Sequence, residues 1–566
     1  MMKRHLALAL AVMMLAGALA ACGGDSETAN TTASAQTTGG GSTTTTTAPA
    51  PAASGPIDTT GMKIFRTAHN AEFETCDVQL TTADYTIPLN IFDRLVEIEL
   101  VGDGLTTLAP GLATAWSVTP DGLVYTFKLR EGVTFHNGEI FKADDVLYTI
   151  ERMCNPATNA KSSDAFTAIK GAVAMLDGEA DSVEGVKVLS DYEIEITLES
   201  AYAPFLANMA TPAGSIYNRK ATEEGGLEFG VNPAKTCGTG PYYLAEWVLN
   251  DHSLILAYDG YWGGRPKNDG VSFAVVPDAD AYRMMFESGE LDELDLENAR
   301  NQIPYFTQSP QWKDHIVSGT RLGTYYYHMN QNIEPFNDLR IRMAFQRAID
   351  REAILRSPLY NGTGFVHSGI LSKGLIGYNP DLPEIKYDPD EALRLMTEAG
   401  YGGGFEMEFT QMTESPNTLA LNELVQAMVA ELGIVATINQ MDSATWYDVR
   451  AKGELGTYTT SWSADFNDPD NYLYTFFTPR NTVSRSFNYK NEEAMARVEA
   501  ARYMIDQEAR IAEYQALEKL IIQDDAAWAP LFQLQHLWVI QPHVQNYMPL
   551  WNGWAGTMYA GIELTN

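Results

Sequence analysis

The stretch richest in reactive side chains is Trp462-Ser463-Ala464-Asp465-Phe466-Asn467-Asp468-Pro469-Asp470. A carboxylate held in a closed, partly dry cleft forms charge-assisted hydrogen bonds with a cation, and these outweigh neutral ones. The other use of such residues is to cap turns in an Asp/Asn-rich loop. A second group, His136-Asn137-Gly138, presents an imidazole at a turn. The chain contains neither GxSxG nor HExxH, so no nucleophile or metal motif accompanies this histidine, and it reads as structural. Gly238-Thr239-Gly240-Pro241 lacks the Lys-Ser/Thr ending of a phosphate loop, and Pro241 removes a backbone donor. It reads as a rigid turn entering a strand over 242–247. Cys76, Cys154 and Cys237 do not form a CxxC, which leaves zinc and thioredoxin chemistry without support. In an exported chain three cysteines permit one disulfide and leave one thiol over.

The elements that must carry these groups are legible in the hydrophobic pattern. In Leu123-Val124-Tyr125-Thr126-Phe127-Lys128-Leu129 the odd positions are large and apolar, the period of a half-buried strand. Glu193-Ile194-Glu195-Ile196-Thr197-Leu198-Glu199 alternates likewise. Asp388-Pro389 sets an N-cap before proline at the first helical position, and Gly400 closes that helix. Ile341, Phe345, Ala348 and Ile349 form an apolar helical stripe behind a cap at Asn337. A longer helix is expected over 508–524. Mixed helices and strands over about 500 residues exceed what one core supports, so an α/β architecture of two or three lobes is predicted.

The first residues suggest export. Met1-Met2-Lys3-Arg4 is basic and precedes an apolar run from Leu6 to Ala21, the length of a secretory h-region and short for a membrane span. Leu19-Ala20-Ala21-Cys22 resembles the lipobox of bacterial lipoproteins, which makes residues 1–21 a signal peptide and Cys22 the lipidated residue. From 22 to 58 the chain is rich in Thr, Ser, Ala, Gly and Pro, too poor in apolar surface to order itself, and is expected to be a disordered tether. The formal net charge of −35, more negative once Lys3 and Arg4 are removed, argues against nucleic-acid partners.

Four blocks together resemble one family, the large extracellular solute-binding proteins of dipeptide, oligopeptide and nickel ABC importers (family 5 type). They are Tyr125-Thr126-Phe127-Lys128-Leu129-Arg130-Glu131-Gly132-Val133-Thr134-Phe135-His136-Asn137-Gly138; Gly238-Thr239-Gly240-Pro241-Tyr242; Glu334-Pro335-Phe336-Asn337-Asp338 through Ala348-Ile349-Asp350-Arg351; and Trp462 through Asp470. They stand in the family's order and span nearly all of the chain after Gly61.

The resemblance implies an α/β, periplasmic-binding-protein-like fold of type II, with two main lobes of mixed sheets around a hinge and an extra inserted lobe. Lobe I would combine 59–105, 236–310 and 525–566; lobe II would be 106–235 and lobe III 311–524. Cys76 and Cys237 then share a lobe, which favours a bridge between them. It further implies that Asp465 pairs with the α-ammonium of a peptide and that Trp462 and Tyr85 line the same cleft. Phe365, in the loop Gly364-Phe365-Val366-His367-Ser368-Gly369-Ile370, would face the pocket. Trp446, behind a cap at Ser443, is a further candidate contact, although a tryptophan so placed is more often core.

The implied protein is a monomeric, non-enzymatic receptor with no cofactor or metal. It would be held outside the cytoplasm by its lipid, close on a short peptide and dock on membrane permease subunits. The same fold binding an oligosaccharide, a metal chelate or an opine-like solute is the alternative. An extracellular hydrolase using a carboxylate pair is a third reading.

Overall fold

In the computed structural model, which describes residues 57–565 apart from 83, 103, 104, 298 and 552–554, the alternating segments form neighbouring strands. The leader, Cys22 and nearly all of the tether lie outside the described residues. Val124–Leu129 buries Tyr125, Phe127 and Leu129, and Glu193–Thr197 buries Ile194 and Ile196. The register sets Phe127 opposite Ile194 and Tyr125 opposite Ile196, so two apolar faces meet in one antiparallel pair. Ala113–Val118 and Val186–Ser190 flank them to complete a four-stranded sheet. Against it packs the helix Ala143–Cys154, opened by Asp145, whose carboxylate accepts from Lys142 N at 2.9 Å.

A second four-stranded sheet runs Ile64–His69, Gly270–Val275, His252–Ala257, Tyr242–Val248; its first pair is parallel and the rest antiparallel. The third region holds Gly323–His328 between Tyr458–Ser463 and Trp528–Pro530. Beside it lies a parallel pair, Glu406–Met412 and Val435–Met441, connected through the helix Pro416–Ala430. One nine-residue strand, Phe532–Ile540, ties regions together. Its start pairs with Gly364–Val366, and its end pairs with Ile316–Thr320 and Glu293–Asp295. Phe532 and Leu534 belong to one core and Trp538 to another, the position expected of a strand through a hinge.

Capping follows the sequence with two corrections. Asp388 accepts from Glu391 N at 2.9 Å and opens Pro389–Glu398, as expected. The helix Leu339–Ala348 is capped by Asp338 rather than Asn337, because Asp338 holds both the backbone and the guanidinium of Arg340. The helix Ser443–Ala451 is capped by Asp442 rather than Ser443. The long segment begins as Gln507–Glu518 and widens into a π-helical turn, Lys519–Asp524.

The expected Cys76–Cys237 bridge is not formed. All three cysteines are free and buried; Cys76 sits in the core around Phe65 and Tyr242, whereas Cys154 and Cys237 sit in the core of the Val124–Leu129 sheet. Cys237, at the entrance to the Tyr242–Val248 strand, turns its side chain into the core of the other sheet, away from Cys76. Burial pushes the Cys154 and Cys237 thiols up to about 12 and Cys76 higher, so none is poised to react.

Candidate functional site

The Asp/Asn-rich block becomes a rigid corner between the strand Tyr458–Ser463 and the helix Asp470–Phe476. Its scaffold is a buried ion pair: Arg510, fully enclosed, donates to both oxygens of Asp468 at 2.8 and 2.6 Å. Asp468 also accepts from Asp470 N at 2.9 Å, and the Asn467 carboxamide accepts from Ile376 N at 2.7 Å.

Asn471 orients the exposed member of the block. Its side-chain oxygen accepts from Asp465 N at 3.1 Å and from Trp462 Nε1 at 3.0 Å, while its Nδ2 donates to Asp465 Oδ2 at 3.1 Å. Asp465 and Trp462 are thereby set at fixed positions on one wall of a cavity of about 1300 Å³. Tyr85 lines the same cavity from the N-terminal segment and donates from its hydroxyl to Thr81 O at 3.3 Å.

Asp465 is open to the cleft, yet the surrounding protein thins its solvation and pushes its pKa up. Asn471 and Arg485 pull the value back, and the Asp164 carboxylate adds repulsion. Tyr85 is raised by the same loss of solvation, offset by Ser162 and reinforced by the Asp465 and Asp164 charges. These influences place Tyr85, Ser162, Asp164 and Asp465, from three parts of the chain, around one space.

Cations share this wall. The Arg485 guanidinium lies over the rings of Trp462 and Phe476, 5.0 and 4.7 Å from their centroids. Arg502 stacks on Tyr474 at 3.8 Å and Tyr202 at 4.7 Å and pairs with Asp470 at 3.4 Å, joining the Asp465 region to the neighbouring sheet domain. A wall that offers a carboxylate beside aromatic-backed guanidinium groups can hold both ends of a zwitterion. The cavity exceeds the roughly 300–1,000 Å³ of pockets for drug-sized ligands.

Two expected contacts are elsewhere. Trp446 is buried against Leu455 and Tyr458 in a small core, with Arg450 over its ring at 5.1 Å, and does not line the cavity. Phe365 lies on the strand Gly364–Val366, paired to Gln533, and also falls outside the cavity lining. The resemblance implied that this loop faces the pocket, whereas pairing with Phe532–Ile540 holds Phe365 outside the cavity lining. Conversely, sequence reasoning passed over His69, Glu293 and Asp295, which line the cavity together with Asp84. The alternation Leu291-Asp292-Glu293-Leu294-Asp295-Leu296 was the available signal: acids at strand spacing between core leucines.

His136 is structural, as expected. Its Nδ1 accepts from Gly238 N at 3.2 Å and its Nε2 lies 3.0 Å from Gly240 O, so the His136-Asn137-Gly138 turn clasps the Gly238–Gly240 turn. Burial lowers it to about 4, keeping the ring neutral. A Cβ on Gly238 would stand 2.1 Å from Ile91 O, which is why that turn requires glycine.

The model of the family "Bacterial extracellular solute-binding proteins, family 5 Middle" matches residues 107–484. The dipeptide-binding protein of Escherichia coli (strain K12) is 29% identical over 484 residues, covering 82% of this chain and 86% of that protein. The heme-binding protein A of Haemophilus influenzae is 27% identical over 477 residues, covering 81% and 84%. Among solved structures, the unliganded open form of the periplasmic murein tripeptide binding protein superposes with a TM-score of 0.76 at 22% identity, covering 89% of this chain and 98% of that one. The type II periplasmic-binding fold expected from the sequence is therefore the fold observed.

Proposed function

Because the chain belongs to the family 5 bacterial extracellular solute-binding proteins, we propose that it captures short peptides in the cleft beside Asp465 and hands them to an ABC permease. The carrying observation is Asp465 itself: open to the cavity, fixed by Asn471, and backed by the buried Asp468–Arg510 pair. A ligand α-ammonium meets this carboxylate, and its carboxylate end meets the guanidinium groups of the same wall. Trp462 and Tyr85 flank the bound chain, and the remaining volume takes side chains with bridging water, which keeps sequence preference loose. The E. coli relative named for dipeptides supports this substrate class.

A ligand touching Asp465 on one side and Tyr85 on the other favours closure about the Phe532–Ile540 strand. The closed form docks on the permease, and the chain performs no chemistry on its cargo. Cys22 would carry the lipid that holds this receptor at the outer face of the membrane, with 22–58 as its tether.

The test is native mass spectrometry of the mature protein, followed by denaturation and identification of what is released. A ladder of short peptides, absent from the Asp465→Ala variant, is expected. A single non-peptide mass that persists in the variant overturns the peptide reading.

A further inference from the structure

Away from the Trp462–Asp470 block the cavity lining carries further carboxylates, and they come from chain segments far apart in sequence. Glu293 and Asp295 flank Leu294 on one short strand; alternation sends Leu294 into the core and both acids toward the cavity. Asp84 joins them and lies 3.3 Å from His69 Nδ1. Glu293 is only 5% exposed. The Thr67 hydroxyl donates to its Oε1, whereas Oε2, with the Tyr547 hydroxyl standing near the carboxyl, has no hydrogen bond of normal geometry.

A carboxylate oxygen buried without such a bond costs more than a made hydrogen bond returns. One that borders a ligand cavity has a reason to be there if the ligand supplies the missing positive charge. Around Glu293 stand Thr67 and His69 from the first strand, Asp295 on its own strand, Tyr282 from the helix Ala279–Ser288, and Tyr547 and Tyr559 from the C-terminal segment. Along the whole lining, carboxylates outnumber lysines and arginines. Among the described residues no three of His, Cys, Asp and Glu gather closely enough to hold a metal ion, so the patch suits an organic cation.

We propose that Glu293 and Asp295 form a second-cation subsite that selects short peptides carrying a basic side chain. This rests on the peptide reading, with the α-ammonium at Asp465 and the side-chain ammonium or guanidinium at this strand. Asp295, the half-buried member of the pair, touches the incoming group, and the buried Glu293 on the same strand adds the field of a second charge. Burial holds Glu293 up to about 7 in the free protein, with the Asp295 charge adding to the rise. A cation beside it favours the carboxylate, so binding a basic peptide expels a proton and its affinity rises between pH 6 and 8.

The test is calorimetric titration of the purified full chain with Ala-Lys, Ala-Ala and Ala-Glu, in buffers of different ionisation enthalpy. Ala-Lys is expected to bind at least tenfold more tightly than Ala-Ala and to release protons that Ala-Ala does not. The isosteric variants Glu293→Gln and Asp295→Asn should each shrink the Ala-Lys to Ala-Ala ratio at least fivefold. Glu293→Gln should also remove the extra proton release, which separates it from any contribution of His69. Equal affinities in the native chain, or a ratio unmoved by both variants, overturn the subsite and leave the peptide reading standing. Failure of all three dipeptides to bind overturns both.

Discussion

Replacing Asp465 by Asn removes one charge while keeping the size of the side chain and an oxygen for the Asn471 Nδ2 donor, so the corner should keep its shape. Hydrogen bonds to charged groups contribute about 1.5–3 kcal/mol, and removing one partner of a desolvated pair costs about 2–5 kcal/mol. Asp465 is open to the cleft before the ligand arrives, which places the loss at the lower end, about 2–4 kcal/mol. The dissociation constant of a dipeptide should therefore rise about 30- to 700-fold. Loss alone does not prove the pairing, so the assay is a double-mutant cycle by isothermal titration. Native chain and Asp465→Asn are each titrated with Ala-Phe and with its des-amino analogue. If the carboxylate holds the α-ammonium, the analogue binds weakly to the native chain and loses little more in the variant, with a coupling of about 2 kcal/mol or greater. Additive losses, with the analogue as sensitive to the substitution as Ala-Phe, would refute the ammonium contact.

Arg510→Met should destabilise the fold by about 3–5 kcal/mol, because it leaves Asp468 buried and unpaired; a chemical-denaturation midpoint within error of the native chain would contradict this. Glu518 is buried, accepts from Ile370 N and Leu371 N at 2.8 Å each, and is pushed by burial up to about 7. A carboxyl raised in the native state binds more protons there than when unfolded, so stability falls as pH climbs from about 4.5 through 7. Glu518→Gln keeps the accepting oxygen and should remove up to about 3 kcal/mol of that fall between pH 5 and 8, measured by denaturant titration at each pH; an unchanged slope would show that other groups carry it. With the three described cysteines free, alkylation after denaturation without reductant should modify Cys76, Cys154 and Cys237 alike. Protection of any pair would restore the disulfide.

The sequence alone determined the class of protein and the corner that holds Asp465. Local patterns report whether a side chain is buried and how its segment is shaped: the alternation in Val124–Leu129, the Asp388-Pro389 start and the Trp462–Asp470 block all act within a few residues, and all are where the pattern put them. Four such blocks in order sufficed to recognise the fold, because each carries a turn or cap that few other arrangements use. What periodicity does not encode is the partner across the gap. Trp446 and Phe365 have the chemistry of ligand contacts, but Trp446 sits in a small core and Phe365 on a paired strand outside the cavity lining, and Cys76 and Cys237 are enclosed by different cores. The acidic part of the lining shows this most directly. His69, Asp84, Glu293 and Asp295 come from segments up to 226 residues apart, as the Thr67–Glu293 bond measures. They meet because the Glu293–Asp295 and Phe532–Ile540 strands pair and the first strand packs beside them. Only the folded chain brings charges from such distances to one surface, and their mutual repulsion and burial, which set how the cleft meets a cation, exist nowhere but in that assembly.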